Sequence, residues 1–152
     1  MAVTREDNSN TKQVLLFPPA KVEATKDNIA SADLSGFESA LVSVILGASD
    51  VDLGNNNSIQ IELQHSDNNA DFTACADSDI SPSVAGINSG TFAVVNAAIA
   101  PEGLAFKAAY KGHKRYVRPV IRCTGQDHGN ANHGSLIGIN VLLRGSKYRP
   151  IA

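Results

Sequence analysis

The sequence predicts an all-β fold, an antiparallel β-sandwich of jelly-roll type preceded by a flexible N-terminal arm. Three observations lead there. Eight or nine short segments alternate apolar and polar side chains or run apolar for the length of a strand; clusters of Asn, Asp, Gly, Ser and Pro separate them; and no window carries a convincing amphipathic-helix spacing. At 152 residues with 43% apolar side chains, the chain is long enough to bury one core, and residues 13–152 are assigned to a single domain.

Residues 1–12 have almost no apolar side chains and no periodicity, so they are expected to be an arm that orders only against a partner. Gln13–Phe17 is a short apolar run stopped by Pro18-Pro19, which suits an edge or inter-subunit strand. Lys21–Thr25 alternates, and Lys26-Asp27-Asn28 supplies a turn. Phe37–Leu46 is apolar on both faces after its first residues. It is expected to be a central strand covered on both sides, with Val42, Val44 and Ile45 favouring strand over helix.

Ala48–Asn57 reads as a loop of Asp, Asn and Gly. Ser58–His65 then gives the cleanest alternation, with Ile59, Ile61 and Leu63 inward and Ser58, Gln60, Glu62 and Gln64 outward. Ser66-Asp67-Asn68-Asn69 turns the chain into Asp71–Ala76, making a hairpin. Asp77–Gly90 reads as a surface loop, Thr91–Asn96 as a short strand, Ala97–Gly103 as a loop and Leu104–Tyr110 as the next strand. In Gly112–Gly125, Val117, Pro119, Ile121 and Cys123 share one face while Lys114, Tyr116, Arg118 and Arg122 share the other, a strand with a cationic ladder. The Gly/Asn-rich segment 125–134, the strand Leu136–Leu143 and the basic tail Arg144–Ala152 complete the chain.

The net charge of −2 hides a polarity. Residues 1–103 hold four Lys/Arg against fourteen Asp/Glu, and residues 104–152 hold nine against one. Such asymmetry points to charge-steered association with another protein or a second copy, unless antiparallel pairing interleaves the halves. A nucleic-acid partner is not expected of a slightly acidic chain with five Phe, three Tyr and no Trp. No apolar run approaches the roughly 20 residues of a membrane span. The polar start MAVTREDNSNTK is unlike a secretory leader, so the protein is expected to be made and used without secretion through its own N-terminus.

Cys75 and Cys123 are expected to be reduced thiols packed as small apolar groups, with a disulfide across the sandwich as the alternative. His128 and His133 have residue types that bind zinc, and Asp50, Asp52, Asn55, Asn56 and Asn57 have calcium-binding oxygens. Neither set has the spacing of a metal motif, so no metal or cofactor is expected. The chain also lacks a nucleophile elbow, a phosphate-cradling glycine loop and a dinucleotide fingerprint, and the expectation is a protein that is not an enzyme.

Several segments together carry a resemblance. Leu34-Ser35-Gly36-Phe37-Glu38-Ser39-Ala40, then Ile61-Glu62-Leu63-Gln64-His65-Ser66-Asp67 before Asp71-Phe72-Thr73, and later Tyr110-Lys111-Gly112-His113-Lys114-Arg115-Tyr116-Val117-Arg118 follow one another in that order. The chain resembles, over roughly residues 14–150, a family of small structural proteins encoded among the head genes of tailed bacteriophages. Lys114-Arg115-Tyr116-Val117-Arg118 is its most specific element, whereas Asn68 and Asn69 depart from the family's acidic or glycine positions.

The resemblance implies a virion component, in particular a decoration (cement) protein made in the host cytoplasm and placed on the outer capsid surface, with the major capsid protein and further copies of itself, as dimer or trimer, for partners. Contact is expected through the arm, through Val14, Leu15, Leu16 and Phe17, and through the cations Lys111, Lys114, Arg115, Arg118, Arg122, Arg144, Lys147 and Arg149. A tail or neck component is the nearest alternative. A carbohydrate-binding β-sandwich for host attachment is the alternative from another class.

Overall fold

The computed structural model describes residues 10–125, 128 and 133–146. In chain order its strands are β1 (Thr11–Val22), β2 (Ala32–Asp33), β3 (Ser39–Ser49), β4 (Ser58–Ser66), β5 (Thr73–Ala74), β6 (Ile80–Ser81), β7 (Thr91–Val95), β8 (Leu104–Tyr110), β9 (Tyr116–Thr124) and β10 (Ser135–Arg144). They form two antiparallel sheets packed face to face, a β-sandwich. The first runs β1-β10-β3-β8-β6; the second runs β2-β9-β4-β5, with β7 also paired to β4.

Period-two patterning dictates this packing. Val42, Val44 and Leu46 of β3 and Ile137, Ile139, Val141 and Leu143 of β10 point inward from the first sheet. Ile59, Ile61 and Leu63 of β4 and Val117 and Ile121 of β9 meet them from the second, and all are buried. At about 25 cal/mol per Å² of apolar surface removed from water, these aliphatic side chains supply the main driving force for folding. The β4–β5 hairpin forms where the alternation predicts it, with Gln64 opposite Ala74 and His65 opposite Thr73. Its turn is held by side chains that accept backbone donors: Ser66 Oγ takes the Asn68 and Asn69 amides, and Asn68 Oδ1 takes those of Ala70 and Asp71.

Four expectations change. First, β1 continues through Pro18-Pro19 rather than stopping there. Among the described strands it is an edge strand paired to β10, and its register shifts between Leu15 and Phe17 and between Phe17 and Ala20 accommodate the prolines. Because Thr11 and Lys12 already pair with Arg144 and Leu143, they belong to the sheet and not to an arm; residues 1–9 lie outside the described residues.

Second, β3 is central, but only one of its faces is covered. Ala40, Val42, Val44 and Leu46 are buried, whereas Ile45 on the opposite face is 63% exposed. Third, the segment 77–90 is not all loop: Asp77–Asp79 makes a 3-10 turn and Ile80-Ser81 adds β6 to the edge of the first sheet. Fourth, the loop 48–57 is anchored, because Val51 and Leu53 are buried in the core.

Pro119 sits in the middle of β9 without breaking it. Its partner Leu63 sends its amide away to Gly90 O at 2.9 Å, so no ladder donor is needed from residue 119 on the β4 side. On the other side β2 covers only Tyr116 and Val117 and the Lys26 backbone bridges Ile121, which leaves Pro119 in the gap between them.

Candidate functional site

Two sheet faces point outward, and they differ in chemistry. On the second sheet, pairing of β9 with β4 and β2 brings the basic end of the chain against acids from its first half. Arg122 donates to Glu62 through Nε at 2.8 Å and NH2 at 3.3 Å, and Glu62 is 1% exposed. Arg115 grips Asp33 with two hydrogen bonds, 2.9 and 2.8 Å, and its guanidinium lies 5.0 Å from the Tyr116 ring centroid. Lys114 Nζ reaches Asp67 at 3.2 Å.

These contacts push the pKa of Arg115 up, chiefly through its hydrogen bonds to Asp33, and hold the Asp33 carboxyl below the ordinary range in return. The Arg122 pKa is likewise raised by its bond to Glu62, against an opposing contribution from burial. Of the cations expected at a contact surface, Lys114, Arg115 and Arg122 are thus each paired with a carboxylate of the chain itself, the interleaving that antiparallel pairing allows.

Arg118 is different. Its guanidinium stacks on Phe72 at 4.1 Å and its Nε donates to the neutral Gln64 Oε1 at 2.9 Å, so the plane is pinned without a carboxylate. Gln64 Nε2 in turn donates to Glu62 Oε1 at 3.2 Å, linking Arg118 to the Glu62–Arg122 pair.

The other predicted contact residues separate. Of the apolar run in β1, Leu16 is buried, Val14 and Phe17 pack partly against the core, and Leu15 alone is open at 58% exposure. Lys111 is an exposed residue whose amide bonds Asp79 O at 2.6 Å. Arg144 is exposed at the end of β10, opposite Thr11 and Ser39. Lys147 and Arg149 lie outside the described residues.

The first sheet's outer face was not singled out from sequence. Leu15, Ile45 and Leu136, the last 45% exposed, surround a groove of about 290 Å³ with Pro19, Gly138 and Asn140. Along the strands this face reads Leu41, Ser43, Ile45 on β3 and Leu136, Gly138, Asn140, Leu142 on β10, without a charge between them. The signal was available as the second phase of each alternation. A continuous apolar run had instead suggested a covered strand.

A larger cleft of about 530 Å³ opens at one end of the sandwich, lined by the segment 34–40 with Asp67, Tyr110 and Lys114. Among its polar groups, Lys114 bonds both Asp67 and Tyr110. The Tyr110 hydroxyl accepts the Lys114 amide at 3.1 Å and lies 2.9 Å from His65 Nδ1, with the rings edge to face. Burial pushes the Tyr110 phenol up to about 12, so it stays protonated beside the His65 ring. Both cysteines are free thiols, Cys75 buried and Cys123 half-buried. Burial raises them to about 12 and about 11, which leaves them unreactive as nucleophiles at neutral pH.

Among the described residues no three His, Cys, Asp or Glu side chains converge as a metal site. The Asp/Asn-rich loop 48–57 is closed by its own backbone, Gly54 N–H to Asn57 O at 2.8 Å. No family model matches the sequence, and no curated protein matches it significantly.

Proposed function

We propose that this chain is a structural protein of a tailed-phage virion that binds the outside of the capsid and cements neighbouring major capsid subunits. One observation carries the reading: the sandwich is two-faced. Its second sheet is polar and internally ion-paired, while its first leaves Leu15, Ile45 and Leu136 together in water. A contiguous apolar patch on a small domain marks a surface meant for protein contact. The family resemblance supplies the class of assembly.

The jelly-roll reading is supported by the strand orders. With the two-residue strands β5 and β6 set aside, β1-β10-β3-β8 and β2-β9-β4-β7 share the strands so that most connections cross from one sheet to the other. A rigid block of this kind suits a clamp on a shell under internal pressure.

Contact with the shell is assigned to Arg118, whose guanidinium is held by Phe72 and Gln64 and would take a capsid carboxylate, and to residues 1–9, which precede β1. The test uses purified heads lacking the protein. Added full-length chain should cosediment with them and raise their resistance to heat, at a copy number that scales with capsid subunits. A copy number fitting a single ring would move it to the neck or tail, and no cosedimentation would overturn the reading. Deletion of residues 1–9, which leaves β1 whole, should weaken attachment; equal attachment removes the arm from the interface.

A further inference from the structure

Resting on the reading of this chain as an assembly protein, we infer that the outer face of the first sheet is covered by a second copy of the chain, packed face to face about a two-fold axis that runs along the strands between β3 and β10, so that Ile45 of each copy enters the Gly138 hollow of the other.

Shape is the first argument. Ile45 projects from β3 directly beside Gly138 of β10, its partner in register, and the groove of about 290 Å³ lies there between Ile45, Leu15 and Leu136. Ridge and hollow are neighbours on one surface. An isologous contact requires that self-complementarity, because the same patch must serve as both knob and hole. A Cβ at Gly138 would stand 3.1 Å from Pro19 Cγ, so the missing side chain is what keeps the hollow open.

Edges and area are the second. Sheets also associate edge to edge, but β1 carries Pro18-Pro19 and two register shifts, and β6 at the far side is two residues long. Both edges are poor templates for another strand, which leaves the face. Strand spacing and rise give β1, β10, β3 and β8 a face of roughly 600 Å². This approaches the roughly 800 Å² per partner of a standard stable interface.

Charge is the third. The full charges on the described face stand at its margins: Lys107 on β8 opposite Ser43, Lys21 on β1 opposite Leu136 and held by Asp50 at 2.6 Å, and Arg144 at the end of β10. A two-fold axis along the strands sends the two copies of Lys107 to opposite sides of the contact. The patch centre, around Ile45, Gly138, Ser43 and Asn140, is uncharged, so packing it desolvates no ion.

Sedimentation equilibrium of the full chain at micromolar concentration tests this. The expected species is twice the 15.9 kDa protomer. Ile45→Glu, at a position already exposed in the protomer, should weaken the dimer at least tenfold without changing circular dichroism or melting of the protomer. Ile45→Ser is the milder variant should the first fail to fold, and it should shift the equilibrium in the same direction. A monomer at every accessible concentration, a trimer, or a dimer indifferent to both variants overturns the inference. The head-binding assay reads separately: monomers that still decorate heads sink the dimer and spare the proposed function, whereas an Ile45-dependent dimer that ignores heads does the reverse.

Discussion

Arg122 on β9 reaches diagonally across the strand pair to Glu62 on β4, setting a carboxylate that is 1% exposed against a half-exposed guanidinium. A buried carboxylate needs this partner more than the partner needs it. Arg122→Gln should therefore lower stability by about 2–3 kcal/mol, somewhat less than a fully buried pair would lose because water reaches the arginine. Restoring neutrality with the double variant Glu62→Gln/Arg122→Gln should recover part of the loss. Chemical denaturation of the three proteins checks it; a loss under about 0.5 kcal/mol for Arg122→Gln would place the pair with ordinary surface ion pairs.

The same contact shows what sequence could and could not give. The alternation in Ser58–His65 and in Tyr116–Thr124 was legible residue by residue, because side-chain phase within a strand is local. The partner of each strand was not. Arg122 and Glu62 are 60 positions apart, and the cationic ladder became a paired face only when β9 docked beside β4. Ile45 failed for a related reason: a strand apolar on both faces looks the same whether another protein layer or solvent lies outside. Pro18-Pro19 read as a stop because proline has no N–H to give to a ladder on both sides, whereas an edge strand with shifted register does not need those donors.

His65 makes stability depend on pH. Burial lowers its pKa below 6.5, the nearby Lys114 adds to that, and Asp79 and Asp67 oppose it only in part. The unfolded chain therefore takes up a proton at a higher pH than the folded one. Stability should decline as the pH drops below 6.5 and level off once the folded histidine is protonated too. Asp33 and Asp50 are held below the ordinary carboxylate range by Arg115 and Lys21, so their stabilisation is lost only at lower pH. Melting temperatures measured between pH 7.5 and 5 should fall for the native chain and stay nearly level for His65→Gln. Parallel curves would mean that other groups set the slope.

Gly90 and Gly86 share a left-handed backbone, with φ of +83° and +82°, but not their surroundings. A Cβ on Gly90 would lie 2.7 Å from Leu63 O and 3.0 Å from Cys75 O, inside the junction that also receives the Leu63 amide. Around Gly86 there is open space. Gly86→Ala should cost about 1 kcal/mol, the conformational strain alone, and Gly90→Ala about 3 kcal/mol, because backbone must also shift. Denaturant midpoints compare the two directly. Equal losses would show that the β4 junction yields easily.

Arg118 is the cation of its strand that finds a ring and an amide where its neighbours find carboxylates. Stacking on Phe72 orients its plane, and a neutral acceptor leaves its charge uncompensated. If a shell carboxylate completes that site, Arg118→Glu should reduce head occupancy at least tenfold, most strongly at low ionic strength where exposed charges are least screened. Phe72→Leu should give a smaller loss, since the charge remains and only its orientation is relaxed. Arg115→Glu serves as the contrast: it breaks the Asp33 pair on the same face and should leave occupancy nearly intact. Equal losses for Arg118→Glu and Arg115→Glu would mean that the shell reads the general charge of the face and not the one guanidinium that the sheet leaves unmatched.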